Sequence, residues 1–311
     1  MRRLISTAAI AAMAATSLGM TAATAEYPEK PVSFVVPFPP GDLEDVITRM
    51  IAEDFQAKYG VAAAVINKPS DGGPFPGAAE VAVAPPDGYT IGSFVVGIPV
   101  VGPQVGIPEL NPDPFEPLGI FVTYPFVMAS AKNSGIDTVE DLKGTDDKVL
   151  GHFGSFLIPT QVSFAMAKQM GFEWGSEAAF DALDCNTLAS GDVDVINTTL
   201  QLILPCLEDV NVIASITGER IAKTPDTPTV GELDPSLAIS LWNGLFVHKD
   251  TPQDVRDKII AVASETVMSD RAQEVARNTG AQIYWLGADE SAAQIQKDIA
   301  TTAAIEKMIA N

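Results

Sequence analysis

PVSFVVPFPPGDLEDVITRMIAEDFQAKYG, residues 31–60, is the stretch whose reading decides the fold. Val32 to Val36 is a short apolar run and predicts a buried strand. Phe38, Pro39, Pro40 and Gly41 break it, and from Asp45 onward Val46, Ile47, Met50, Ile51 and Phe55 recur at helical spacing. The product is strand, tight loop, helix. In an open α/β sheet such a loop lies at the carboxyl end of a strand, where the free N–H groups of the helix start point into a crevice. The loop from Phe38 to Asp42 is therefore expected to be one jaw of a ligand clamp.

Working outward, Val61 to Ile66 reads as a second strand, an Ala-rich helix follows from Ala78 to Ala84, and Tyr89 to Val96 is a third strand. This rhythm calls for a parallel sheet with right-handed crossovers. Pro99 to Leu118 reads as a long surface connection. Lys148 to Gly151 is a strand, and the loop from His152 to Leu157 precedes a helix with Pro159 in its first turn and Gly171 past its end. The start of that helix supplies a second group of inward-pointing donors. Val193 to Asn197 reads as a strand, with Thr198 and Thr199 capping a helix that reaches Leu207. The apolar runs from Ile120 to Ala129 and from Leu241 to Val247 are read as strands crossing between two lobes. The expected division is 26–124 plus 246–311 for lobe I and 125–245 for lobe II.

At the N-terminus, Arg2 and Arg3 precede a short apolar run from Leu4 to Met20 and the small residues Ala23-Thr24-Ala25. That pattern predicts a secretory signal over residues 1–25, cleaved near Ala25, and a periplasmic protein. Removing 25 of the 311 residues leaves 286, enough for about two domains. The segment lost carries two arginines and no acid, so the formal charge moves from −21 to −23. So acidic a chain repels nucleic acid and anionic membrane surfaces. Two readings stay open for Cys185 and Cys206: one disulfide worth about 3 kcal/mol on the chain-entropy model, or two buried thiols.

Two histidines and two distant cysteines give no metal-ligand spacing, and no cofactor motif is present. The chain also lacks a G-x-S-x-G elbow or a P-loop. Ser155 and His152 are three apart along one strand-loop junction, where a nucleophile and its base rarely converge. A non-enzymatic protein is expected, without metal or cofactor.

Six segments, taken together and in order, carry a family resemblance. They are Val35 to Gly41, Asn67-Lys68-Pro69 with the Gly-rich turn after it, Pro86-Asp87-Gly88-Tyr89-Thr90, Gly191 to Val195, Asp226 to Glu232, and Trp242-Asn243-Gly244-Leu245-Phe246. The chain resembles the Bug family, the periplasmic solute-binding proteins of tripartite tricarboxylate transporters. The resemblance implies a two-lobed Venus-flytrap of the type II periplasmic binding protein kind, each lobe a mostly parallel sheet flanked by helices. It implies a monomer that captures a small organic acid and delivers it to a membrane permease. The alternatives are the same module feeding a sensor kinase, or a cationic or polar ligand.

The residues implied for ligand contact are Phe38, Pro39, Pro40, Gly41 and Asp42 in the first loop and Gly72, Gly73, Phe75 and Gly77 in the Gly-rich turn. From the second lobe come Gly154, Ser155, Phe156, Thr160 and Asp194. Asn197 and Thr198, at a strand end, offer amide and hydroxyl contacts or act as helix caps. The family's first loop commonly continues Gly-Gly-small-Thr-Asp, whereas this chain has Gly41-Asp42-Leu43-Glu44-Asp45. Asp42 and Glu44 have two readings: helix capping, or contact with a ligand, in which case Asp42 would repel a carboxylate or recruit an ammonium or hydroxyl group.

Overall fold

The computed structural model describes residues 26–70, 73–180 and 182–310. The expected signal segment, residues 1–25, lies outside these residues, as does Gly72. The chain opens with β1 (Val32–Val36), α1 (Leu43–Tyr59), β2 (Ala63–Asn67), α2 (Phe75–Ala82), β3 (Thr90–Val95) and α3 (Gly97–Val101). It continues with β4 (Phe115–Thr123), β5 (Phe126–Ala131), β6 (Lys148–His152), α4 (Ile158–Met170), β7 (Trp174–Ala179), α5 (Cys185–Ser190) and β8 (Val195–Thr199). Then follow α6 (Leu200–Ile203), β9 (Val210–Ser215), α7 (Val230–Leu233), β10 (Trp242–His248), α8 (Gln253–Val267), α9 (Asp270–Thr279), β11 (Gln282–Leu286) and α10 (Ala288–Ala310).

The strands form two sheets, ordered β11-β4-β10-β3-β1-β2 and β7-β6-β8-β5-β9. Both are mixed rather than mostly parallel. β1 runs parallel to β2 and β3, but β10 is antiparallel to β3 and β4, and β5 is antiparallel to β8 and β9. β5 follows β4 after only Tyr124-Pro125, and β10 follows the return from the second sheet, so neither is reached by the strand-helix-strand crossover within one sheet that makes neighbours parallel.

That passage occurs at Tyr124-Pro125. The apolar run from Ile120 to Ala129 is therefore two strands, one in each sheet, because proline cannot donate to a ladder and ends the first strand. The return lies between Ser215 and Trp242. β10 belongs wholly to the first sheet, so the division expected after Leu245 falls inside a strand, and the crossing assigned to Leu241–Val247 precedes it.

The largest buried cluster joins Phe34, Ile47 and Phe55 of the first layer to Phe94, Phe121, Trp242 and Phe246, and continues into Leu150, Val162 and Met166 of the second lobe. α10 packs on both β4 and α4, and its buried Asp298 accepts the Trp242 indole N–H at 2.7 Å. The predicted strands and helices around both loops are present within a few residues. The Pro99–Leu118 connection carries the short α3, and β4 begins before its expected end. No described helix is long and apolar enough to cross a membrane.

Candidate ligand-binding site

The first jaw is the loop between β1 and α1. Gly41 has φ +99°, a conformation that favours glycine, and a side chain there would project into open space. Its N–H is not free: it donates to Asp45 Oδ2 at 2.9 Å. The same carboxylate binds Arg49 twice, Nε to Oδ2 at 2.9 Å and Nη2 to Oδ1 at 2.8 Å, and accepts Asn67 Nδ2 at 2.8 Å. Asn67 also donates to the Phe38 carbonyl at 3.1 Å, and Arg49 Nη2 donates to Asn67 Oδ1 at 2.7 Å. Burial alone would raise the Asp45 carboxyl, but the Arg49, Gly41 and Asn67 hydrogen bonds outweigh it and hold the group below its ordinary value.

The row of donors expected at Pro40-Gly41 thus lies one residue further on. Proline has no N–H and Gly41 is occupied, while the amides of Asp42 and Leu43 form no hydrogen bond with the described residues. Asp42 occupies the N-cap position, with extended backbone at φ −67° and ψ 163°, but its carboxylate makes no capping bond. The capping reading fails for it because Asp45, three residues on, reaches back to the loop instead. Desolvation and the Asp45 charge push the Asp42 carboxyl up.

Glu44 is 3% exposed and accepts the Tyr124 hydroxyl at 2.9 Å. Tyr124 OH also lies 3.4 Å from Asn243 Oδ1, Asn243 Nδ2 donates to Ser93 Oγ at 2.7 Å, and Ser93 meets Thr48 Oγ1 at 2.8 Å. A buried polar chain therefore runs from the first jaw through the residue at which the chain leaves the first sheet. Burial and the neighbouring Asp42 charge push the Glu44 carboxyl up to about 7.

In the Gly-rich turn, Gly73 has φ +76°, and a Cβ there would sit 3.1 Å from the Phe156 ring. The two lobes therefore touch, with the second-lobe loop covering the first-lobe turn. Phe75 opens α2 half-buried on the core and shields Gly102. Gly77 has a packing role: a Cβ would come 2.8 Å from the Pro37 side chain and 3.1 Å from Lys68, so it lets α2 seat against the first loop.

The second jaw is the loop between β6 and α4. Leu157 N–H donates to the Gly154 carbonyl at 3.2 Å, and the Gln161 amide side chain donates to the Ser155 carbonyl. Pro159 removes one donor, and the amides of Ile158 and Thr160 have no backbone partner among the described residues. Asn197 Nδ2 donates to the Pro159 carbonyl at 2.8 Å and to Ser163 Oγ at 2.6 Å, so it secures this helix start from behind.

Two expected contacts are turned elsewhere. Thr198 donates to the Leu183 carbonyl at 2.7 Å and is fully buried. Asp194 accepts the Val149 N–H at 2.8 Å, at the opening end of β6 and β8. Three residues of β6, about 10 Å, separate its partner Val149 from His152, where the jaw begins.

Cys185 and Cys206 form a disulfide with Cα atoms 5.9 Å apart, tying α5 to the turn after α6. The His152 ring places Nε2 3.1 Å from Glu177 Oε2 and makes no hydrogen bond to Ser155. Among the described residues no group of three or more His, Cys, Asp and Glu side chains could hold a metal ion. Sequence reading passed over Asn67, Asp45, Tyr124 and Asn243 as site-building residues. The Tyr-Pro break in an otherwise apolar run was the one signal that marked Tyr124.

Two sheets, each with a helix start after a strand end, and the contact of Phe156 with Gly73 between them define a two-lobed α/β fold. Comparison with known proteins agrees. Residues 47–310 match the family described as Tripartite tricarboxylate transporter family receptor. A protein of Agrobacterium vitis, the UPF0065 protein in the TAR-I ttuE-ttuC' intergenic region, is 27% identical over 268 residues, covering 78% of this chain and 73% of its own. The periplasmic binding protein BugD superposes with a TM-score of 0.73 at 23% identity, covering 91% of this chain and 98% of BugD. Rpa4515 of R. palustris, solved with adipate, superposes with a TM-score of 0.78 at 21% identity, covering 92% and 99%. The chain belongs to the tripartite tricarboxylate transporter receptor family.

Proposed function

We propose that this protein is a periplasmic receptor that captures a small organic carboxylate between its lobes and hands it to a membrane permease. Lobe I comprises 26–123 and 242–310, lobe II 126–215 with part of the return segment. The observation that carries the reading is the pair of amides, Asp42 and Leu43, at the start of α1, which form no hydrogen bond with the described residues. A ligand carboxylate seated there takes two main-chain donors and the favourable end of the helix dipole without any Lys or Arg. Phe38, Pro39 and Pro40 wall the anion, Gly73, Phe75, Gly154 and Phe156 close over its apolar part, and the Ile158 and Thr160 amides receive its far end. Rpa4515, which shares the fold, was solved with adipate, and that supports a dicarboxylate as the class of ligand. Binding then shifts the population toward the closed form.

The Asp42 carboxylate, which makes no hydrogen bond with the described residues, favours a second form of this reading: a carboxylate ligand that also carries a hydroxyl or ammonium group. A thermal-shift screen of the purified protein against dicarboxylates, hydroxy acids, amino acids and amines tests both forms, because a ligand that binds only the native state raises the melting temperature. Stabilisation by organic acids is expected. Stabilisation by amines alone would overturn the carboxylate assignment. Asp42→Asn is expected to tighten binding of a plain dicarboxylate several-fold and to weaken binding of an amino or hydroxy acid, measured by calorimetry.

A further inference from the structure

Asp42, Glu44 and Asp45 place three acids within four residues at the end of α1 that is proposed to receive a ligand carboxylate. Their surroundings differ. Asp45 is neutralised by Arg49, and Asp42 lies open at the rim. Glu44 is buried without a cation, and its one partner from another element is the Tyr124 hydroxyl at 2.9 Å. The groups that face it are Asp42 at the N-cap, Asp45 and its own backbone N–H from α1, and Tyr124 from the crossing, with the uncharged Asn243 of β10 and Ser93 of β3 behind the tyrosine. A ligand carboxylate on the Asp42 and Leu43 amides would sit beside this buried negative charge. Two carboxylates that share a water-poor site hold one proton between them, since both cannot remain ionised.

Resting on the carboxylate reading above, we propose that Glu44 is a specificity-determining residue that must be protonated for the site to accept its ligand, so that capture takes up one proton. The step balances: a solvent proton joins Glu44, whose carbonyl oxygen keeps the Tyr124 hydrogen bond while its O–H becomes a donor toward the bound carboxylate. No other bond forms or breaks. Glutamine offers the same acceptor and donor with no charge. The Tyr124 bond gives the arrangement a second consequence: the residue that reads the proton on Glu44 is the one that joins the lobes.

The test is isothermal titration calorimetry of wild type and Glu44→Gln with adipate, succinate and citrate as probes, at pH 6, 7 and 8, in buffers of different ionisation enthalpy. Adipate and succinate are fully ionised at pH 7 and above, so for these two a change between pH 7 and 8 reports the protein. For a probe that binds, wild-type affinity is expected to fall about tenfold from pH 6 to pH 8 as the protonated fraction of a group with its midpoint near 7 declines. Buffer dependence should reveal close to one proton taken up at pH 8. Glu44→Gln should bind at pH 8 as tightly as wild type does at pH 6. Wild-type affinity that is constant between pH 7 and 8 without proton uptake, or a Glu44→Gln protein with the same pH dependence, overturns the proposal and leaves carboxylate capture standing. Failure of every probe at every pH overturns the carboxylate reading, and this one with it. Should the variant not fold, the wild-type proton count decides alone.

Discussion

A side chain at position 41 would have to adopt φ +99°, which costs an L-residue about 1–2 kcal/mol although nothing stands in its way. Gly41→Val is therefore expected to shift the loop and cut ligand affinity at least tenfold, while urea unfolding stays cooperative; unchanged affinity would detach the loop from binding. Glu44 makes a stability prediction with a definite sign. The folded carboxyl holds its proton to about pH 7 and the unfolded one to about 4.5, so the folded chain binds more protons between those values. Stability is then highest at the acid end of this window and falls as pH rises through 7, by about 3 kcal/mol in all. Asp45, held low, acts in the opposite sense only below its ordinary value of 3.8 and leaves the window undisturbed. Urea unfolding at pH 5 and pH 8 should show this loss in wild type and lose most of it in Glu44→Gln.

At the scale of elements, the strand, loop and helix of residues 31–60 were legible because apolar spacing and a Pro-Pro-Gly break are local signals. The donor at Gly41 was misassigned for a reason local pattern does not contain: Asn67, a strand away, orients Asp45 and Arg49 so that the carboxylate reaches back to the glycine amide. Asp194 was misplaced because a motif's position in the chain does not say which end of a strand it occupies. Only the pairing of Val149 with the residues before β8 shows that it lies away from the jaw. Asn197 illustrates a third case, a polar residue at the right strand end whose amide serves the Pro159 carbonyl rather than a ligand. Asn197→Ala is expected to cost about 1 kcal/mol by removing one of the two side-chain hydrogen bonds to the Pro159 carbonyl, the other coming from the Ser163 hydroxyl, and to weaken binding as the start of α4 loosens. The disulfide stands apart from both jaws. Replacing Cys185 and Cys206 by serine should lower stability by about 3 kcal/mol and leave ligand affinity within about twofold, measured by urea unfolding and calorimetry.

For the molecule as a whole, the two jaws are joined by a continuous path. Glu44 meets Tyr124, Tyr124 stands edge-on to Phe126 at 6.4 Å, and Phe126 stands edge-on to Phe153 of the second loop, also at 6.4 Å. Phe156 meets the first lobe directly over Gly73, yet is 53% exposed, so it contributes to closure more than to folding. Phe156→Ala should speed ligand release several-fold with little change in melting temperature, measured by stopped-flow fluorescence and calorimetry. Capture by this molecule depends on a ligand carboxylate docking at the main-chain N–H groups of Asp42 and Leu43. Amide nitrogen NMR during titration with a carboxylate that stabilises the protein tests this most directly. Large downfield shifts confined to Asp42, Leu43, Ile158, Thr160 and their immediate neighbours are the expected result. Saturation that leaves the Asp42 and Leu43 amides unmoved while other residues shift would contradict it.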